Sequence, residues 1–145
     1  MNREIIHQWY CENKDGIFRF AFSLLKDTHL AEDVLQEVFL RLLTGKYEVK
    51  PGAERAWLYK VARNCSYDIL HRKKRESPVR EEIGSDTDRY VYIELMAALG
   101  RRDQEIVTLK IIGGLTHREI GKVMGMTEHA VKKRYQRAIE KLREG

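Results

Sequence analysis

The sequence has only two prolines and two cysteines in 145 residues, and no stretch in which Val, Ile or Thr alternates with polar residues over the length of a strand. With few helix breakers and abundant Leu, Ile, Ala, Glu, Lys and Arg, helices are the expected secondary structure. Cys11 and Cys65 lie far apart and belong to no Cys-x-x-Cys or His/Cys cluster, so both are expected to be reduced thiols. The chain is therefore predicted to be all-α.

Motifs typical of catalysis and of membrane insertion are also missing. The sequence contains no phosphate-binding glycine loop, no His-Glu-x-x-His, no Gly-x-Ser-x-Gly and no carboxylate pair in an apolar setting. We therefore expect no enzyme activity, no cofactor and no bound metal. No signal peptide opens the chain and no apolar run is long enough to cross a bilayer, which predicts a cytoplasmic protein without direct membrane insertion.

Charge is distributed unevenly along the chain. The net charge of +5 is made up of −1 in residues 1–50, +5 in 51–75, −4 in 76–99 and +5 in 100–145. Two basic blocks separated by an acidic one are typical of a protein with two separate contacts to nucleic acid. A structural scaffold or a chain kept soluble by charge has no need of this segregation.

Apolar periodicity predicts two small helical domains, residues 1–75 and 89–145, joined by a flexible linker at 76–88. The linker segment is acidic, lacks periodicity and contains Ser77-Pro78. No large apolar interface between the domains is visible, so we expect them to move independently or to pack weakly. The predicted helices are Asp15–Leu25, Ala31–Thr44, Ala53–Arg75, Tyr90–Leu99, Arg101–Ile112 and the two helices of a C-terminal helix-turn-helix.

The helix-turn-helix is predicted from its capping residues. Thr116 and Glu119 form a capping box, and Gly125 can end the first helix in a left-handed conformation. Thr127 can cap a second helix whose apolar stripe leaves a basic, amide-bearing face outward, which suits the DNA major groove. A solvated basic face is the alternative interpretation. The outward residues are His129, Lys132, Lys133, Gln136 and Arg137.

The outer face of the helix at 31–44 combines an apolar residue with acidic and amide groups. Asp33, Gln36, Glu37 and Leu40 fall opposite the apolar stripe. A single exposed leucine is common in globular proteins. The same arrangement also describes a small apolar anchor ringed by polar groups, as at protein-binding sites. Periodicity alone leaves both interpretations open.

The helix at 53–75 carries a polar row beside its apolar face. An Asn–Asp pair in a basic row is what base reading requires, since Asn offers a donor and an acceptor, Asp accepts from exocyclic amines and cations hold phosphates. A solvated helix face is the alternative. The row consists of Lys60, Asn64, Asp68, His71 and Arg75, and Arg63, Arg72, Lys73 and Lys74 surround it.

Three segments, in the same order along the chain, resemble the extracytoplasmic-function sigma factors. Residues 30–39, Leu-Ala-Glu-Asp-Val-Leu-Gln-Glu-Val-Phe, are similar to the region 2 signature of that family. Residues 56–64 with Asp68 and Arg72 are similar to its Trp-Leu-x-x-Ile-Ala-x-Asn helix, and residues 115–138 resemble its region 4. Together these segments cover nearly the whole chain.

The resemblance implies a sigma factor that binds core RNA polymerase and directs transcription initiation at promoters, often under the control of an anti-sigma factor. Polymerase docking would involve Asp33, Gln36, Glu37 and Leu40. The melted −10 element would be bound by Lys60, Arg63, Asn64, Asp68 and Arg72. The duplex −35 element would be bound by His129, Lys132, Lys133, Arg134, Gln136 and Arg137.

A helix-turn-helix regulator of duplex DNA, with a helical N-terminal sensor or dimerisation domain, is the alternative function. A sensor domain has no need of the basic block at residues 53–75, whereas a sigma factor does. That block therefore favours the sigma factor.

Overall fold

The computed structural model describes residues 3–45, 49–76 and 94–144, without the side chains of 74–76. Within these ranges all regular structure is helical, which confirms the all-α prediction. Residues 77–88 of the predicted linker and the first four residues of the predicted helix at Tyr90–Leu99 lie outside the described residues, and Glu94–Met96 form a short helical turn. The longer helices within the described ranges are α1 Arg3–Leu25, α2 Thr28–Leu43, α3 Glu54–Glu76, α4 Arg101–Ile111, α5 His117–Met124 and α6 Glu128–Glu144.

Helix α1 begins twelve residues earlier than the predicted start at Asp15. Its first half buries little apolar surface, which is why periodicity missed it, and tertiary contacts hold it instead. The ring of Tyr10 meets Phe39 of α2 edge-on with centroids 4.9 Å apart. Within α1 itself, the buried Asn13 side chain donates to the carbonyl of Trp9, one turn earlier, at 2.9 Å.

Local caps fix the boundaries between the first two helices and around the helix-turn-helix. Asp27 caps α2 by accepting from the amide of Leu30 at 3.0 Å. Thr116 Oγ1 accepts from the amide of Glu119 at 3.1 Å, while the Glu119 carboxylate accepts from the amide of Thr116 at 3.0 Å. The predicted capping box is thereby confirmed, because each side chain satisfies an amide that the helix leaves without a partner.

The turn of the helix-turn-helix depends on two glycines. Gly125 has a φ of +70°, the left-handed conformation predicted for it. A Cβ atom at Gly121 would lie 2.5 Å from the carbonyl oxygen of Met126, so only glycine allows α5 to approach the turn this closely. Thr127 then caps α6, accepting from the amide of Ala130 at 3.1 Å.

The expectation that the two halves pack weakly is wrong. Helices α1–α3, the N-terminal half, and helices α4–α6, the C-terminal half, share one continuous apolar core. The shared core was not predicted because each apolar stripe was assigned to the core of its own domain. Members of this common core include Ile17, Phe20, Val34 and Leu58 from the N-terminal half and Ile106, Leu109, Leu115 and Ile120 from the C-terminal half.

Tyr59 of α3 lies at the centre of the contact between the halves and is 1% exposed. Its hydroxyl lies where a side chain at Gly16 of α1 would begin, and a Cβ at Gly113 would be 3.2 Å from its ring. Gly16 therefore leaves room for the tyrosine within α1 and does not end that helix. Two glycines from different halves form the slot that receives this ring.

Candidate nucleic-acid and protein-binding surfaces

The outer face of α6 is basic and open to solvent. Its apolar stripe, which includes the buried Val131 and Ala138, packs against the rest of the C-terminal half. The helical period places the apolar stripe on one side of α6 and the basic residues on the other. The basic face predicted from the sequence is therefore the exposed one. The exposed predicted residues are His129, Lys132, Lys133, Gln136 and Arg137.

Arg134 does not belong to this open face. Its guanidinium lies on the side of α6 near α4 and donates to the carboxylate of Asp103 at 3.1 Å. Arg134 is thus engaged through Nη1 within the C-terminal half, while 43% of its side chain remains accessible to solvent.

The polar row of α3 is also exposed at the positions whose side chains the structure describes, but Arg63 beside it is engaged elsewhere. Arg63 donates through Nε to Glu105 of α4 at 2.9 Å, and its guanidinium carbon lies 4.7 Å from the centroid of the Tyr67 ring. Arg63 therefore lies beside the polar row and against the C-terminal half. The predicted residues that remain exposed on α3 are Lys60, Asn64, Asp68 and Arg72.

Glu105 was missed by the sequence analysis, although it is the most buried acidic residue described, at 3% exposed. A carboxylate removed from water needs a charged or hydrogen-bonded partner, and Arg63 supplies it. Burial, followed by the neighbouring carboxylate of Glu105, raises the pKa of the Tyr67 phenol. An acidic residue in the middle of an apolar helix face was the one signal available in the sequence.

The outer face of α2 exposes Asp33, Gln36 and Leu40, the last with 54% of its surface accessible. Glu37 is partly covered, and its carboxylate accepts from Arg41 one turn later at 3.1 Å. The predicted polar ring around an apolar residue is therefore present on the surface, with one of its acids held by a neighbouring arginine.

An apolar groove extends this face onto the first half of α1. Its volume is about 700 Å³. The α1 wall was not predicted from the sequence, because the predicted helix starts at Asp15 and these residues precede it. The side chains that line the groove include Ile6, His7 and Tyr10 from α1 and Phe39, Leu40 and Leu43 from α2.

Two ionisable groups of the helix-turn-helix have shifted pKa values. Burial would raise the pKa of Glu119, but the hydrogen bonds from the Thr116 amide and from Arg55 outweigh it and hold the pKa below its ordinary value. Burial, reinforced by Lys110 and Lys132, lowers the pKa of His117. The Nε2 atom of His117 is buried without a hydrogen-bond partner among the described residues.

Over the part of the chain that the structure describes, no group of three or more His, Cys, Asp or Glu side chains is arranged to hold a metal ion. None of the described helices combines the length and the apolar character that a membrane span requires.

A helix-turn-helix with an open basic face, together with a second exposed basic helix, is typical of all-α DNA-binding proteins. Residues 9–76 match the Sigma-70 region 2 family and residues 90–142 match Sigma-70 region 4. The chain belongs to the extracytoplasmic-function (ECF) RNA polymerase sigma factors. It is a sigma factor that binds core RNA polymerase and directs promoter recognition and transcription initiation.

Comparison with individual proteins gives the same family. The chain is 30% identical over 156 residues to the ECF RNA polymerase sigma factor SigM of Bacillus subtilis, covering 99% of this chain and 94% of SigM. It is 29% identical over 151 residues to the ECF sigma factor SigE of Mycolicibacterium smegmatis, covering 92% of this chain and 58% of that relative. The fold is similar to that of the sigma factor RpoE of Bartonella quintana, solved with the anti-sigma factor NepR, with a TM-score of 0.75, 19% identity and coverage of 99% and 96% of the two chains.

Proposed function

We propose that the two halves of this sigma factor divide promoter binding between them. Residues 1–75 dock on core polymerase through α2 and bind the melted −10 element through α3, and residues 89–145 bind the duplex −35 element through α6. The observation that carries this proposal is the presence of two exposed polar and basic faces on helices of different halves, one of which belongs to a helix-turn-helix. A regulator with a sensor domain is disfavoured by the region 2 match across the basic block.

The two faces suit different forms of DNA. The α6 face is a row of cations with Gln136, and a helix of this kind in the major groove reads base edges with amides while cations hold phosphates. The α3 face offers Asn64 and Asp68 beside Lys60, a mixture of donors and acceptors that can address bases whose pairing edges are free. One face therefore fits duplex DNA and the other fits an opened strand.

The α2 face fits a protein. Leu40 is exposed among Asp33 and Gln36, and the apolar groove continues from it onto α1. An exposed apolar centre with a polar rim is the anatomy of a protein interface. We assign this face to core polymerase, and we place an anti-sigma factor, by analogy with the partner of the Bartonella protein, as a competitor for the same surfaces.

We also propose that the chain has no catalytic activity of its own, since nucleotide addition belongs to polymerase, and that it acts in the cytoplasm where polymerase is found.

A pull-down with purified core polymerase tests the docking assignment. We expect the triple variant Asp33→Ala/Gln36→Ala/Leu40→Ala to lose most of its binding and its promoter-directed run-off transcription while keeping its helical circular dichroism, because exposed changes cost little stability. A matched control variant removes three exposed polar groups from the opposite side of α1: Gln8→Ala, Glu12→Ala and Asp15→Ala. Binding of the docking variant at the level of the parent would show that the α2 face is only solvated.

A further inference from the structure

The outward side of α1 carries a histidine and a cysteine one turn apart. The Nε2 atom of His7 lies 3.6 Å from the Sγ atom of Cys11, and both side chains are exposed. Zinc bonds to a thiolate at about 2.3 Å and to an imidazole nitrogen at about 2.0–2.1 Å, so a tetrahedral zinc ion holds two such atoms about 3.6 Å apart. The pair therefore has the spacing of two ligands of one zinc ion.

Two ligands are half of a structural zinc site, which is usually closed by four Cys and His side chains. Among the described residues, no third His, Cys, Asp or Glu side chain is arranged to join this pair on one metal. A two-fold dimer supplies the same two ligands a second time, because both copies present the same surface to each other. The complete set is then two histidines and two cysteines, and the two thiolates balance the charge of the zinc ion.

The charges around this pair make the face of α1 complementary to itself in the antiparallel direction. Residues 4, 7, 11 and 14 share one face of the helix, because they recur at steps of three and four. If two copies of this face cross midway between the two ligands, each histidine meets the cysteine of the other copy, and each flanking charge meets its opposite. A parallel arrangement would instead place every charge against its own copy. The opposed pairs of the antiparallel arrangement are His7 with Cys11, Arg3 with Asp15 and Glu4 with Lys14.

We propose that the free chain binds zinc as a two-fold dimer, in which His7 and Cys11 of both copies form one tetrahedral site between antiparallel α1 helices. Each cysteine loses its thiol proton when its sulfur bonds to the metal, so one zinc ion and two chains release two protons, and no electron is transferred. The rest of this face is charged and exposed, and exposed ion pairs contribute little. The dimer is therefore expected to form only with the metal.

Dimerisation through α1 has a consequence for polymerase docking, and this consequence rests on the docking function proposed above. Arg3 and His7 belong to the dimer face and also line the apolar groove between α1 and α2. A second copy on α1 engages both side chains and covers that wall of the groove. The zinc-bridged dimer and docked polymerase therefore exclude each other, whereas the zinc site itself does not depend on the docking assignment.

Analytical ultracentrifugation of the full-length chain, in Zn²⁺ or in EDTA, tests the site. The parent should be a dimer with one zinc ion per two chains in Zn²⁺ and a monomer in EDTA. Cys11→Ser and His7→Asn change exposed side chains, so both variants are expected to fold, and both should stay monomeric in Zn²⁺. His29→Gln, which replaces an exposed histidine of α2, is the control and should dimerise like the parent. A parent that stays monomeric in Zn²⁺, or a zinc-dependent dimer that persists in Cys11→Ser, would overturn the proposal.

Charge reversal tests the antiparallel arrangement. Arg3→Asp and Asp15→Arg should each raise the dissociation constant of the zinc dimer roughly tenfold, because two exposed ion pairs per dimer become contacts between like charges. The double variant Arg3→Asp/Asp15→Arg restores opposite charges and should return the constant to that of the parent. A double variant that dimerises as weakly as the single variants would overturn the antiparallel arrangement.

A pull-down with purified core polymerase tests the competition. The chain is first loaded with Zn²⁺ at a concentration at which it dimerises, and the excess metal is removed. Loading should reduce capture of the parent, whereas Cys11→Ser should be captured equally with and without loading. Equal capture of the loaded and untreated parent would overturn the competition. If the untreated parent fails to bind polymerase at all, the proposed docking function is wrong, while the zinc-dependent dimer is judged by ultracentrifugation alone.

Discussion

Helices α3 and α6 are both basic helices with a polar outward face, yet they lie in different surroundings. Helix α6 packs on one side only and leaves His129, Lys133 and Gln136 in solvent. Helix α3 is covered on two sides, by α1 and α2 on one and by the C-terminal half on the other, so that Arg55 and Arg63 pair with acids from another half. A basic residue next to an apolar stripe is therefore free for DNA only where no second domain covers that flank.

The largest expected effect comes from removing the contact that Tyr59 of α3 makes between the two halves. Tyr59→Ala should lower the free energy of unfolding by about 3–5 kcal/mol, because a fully buried aromatic ring leaves a cavity between the halves. The matched change Tyr135→Ala on the one-sided helix α6, where the ring is only partly buried, should cost less. Urea denaturation followed by circular dichroism measures both. Equal losses would mean that the two helices are held alike.

The next effect sharpens the comparison of the two DNA surfaces. Asn64→Ala should impair promoter opening or base preference at the −10 element, while Gln136→Ala should weaken binding to duplex −35 DNA, each by about 1–3 kcal/mol for one lost base contact. Permanganate footprinting with polymerase detects the first, and a duplex binding assay detects the second. If a holoenzyme carrying Asn64→Ala opens its promoters normally and with unchanged base preference, Asn64 does not contact the bases of the −10 element.

A smaller effect tests whether the side-chain cap of Thr127 stabilises the start of α6. Thr127→Ala should lower the free energy of unfolding by about 1 kcal/mol, since it removes the side-chain cap of the Ala130 amide. Thr44→Ala serves as the control, because its hydroxyl donates to the carbonyl of Arg41 at an exposed helix end and caps no amide. In thermal denaturation, Thr127→Ala should lower the stability more than Thr44→Ala does. A larger loss in Thr44→Ala would contradict the assignment of Thr127 as a cap.

The smallest effect is pH dependence from Glu119. Its pKa in the folded chain lies below the ordinary value of 4.5, so the unfolded chain binds its proton more readily. The contribution of Glu119 to stability is therefore complete above that ordinary value and is lost as the pH falls through the lower folded-state pKa. Glu119→Gln should flatten this part of the stability curve, measured by urea denaturation across the acid range. A curve that keeps its slope in Glu119→Gln would assign the acid sensitivity to other carboxylates.

Much of the helix-turn-helix could be predicted from the sequence because its determinants are local. The capping box joins residues three apart, Gly125 needs only its own backbone freedom, and the period of α6 decides which of its sides is apolar. The outward residues His129, Lys132 and Gln136 follow from that period alone. The same reasoning placed Asp33, Gln36 and Leu40 correctly on an exposed side of α2.

The sequence by itself determined the helical class, most helix boundaries and the sigma-factor family, since these depend on periodicity, capping and motifs within short stretches of chain. Only the tertiary structure decided that Tyr59 fills a slot between Gly16 and Gly113 and that α1 supplies one wall of the groove. It also decided that Arg55 and Arg63 pair with Glu119 and Glu105, which are 64 and 42 residues away. Such pairs depend on how complete helices pack, and the period of one helix carries no information about which surface of another will cover it.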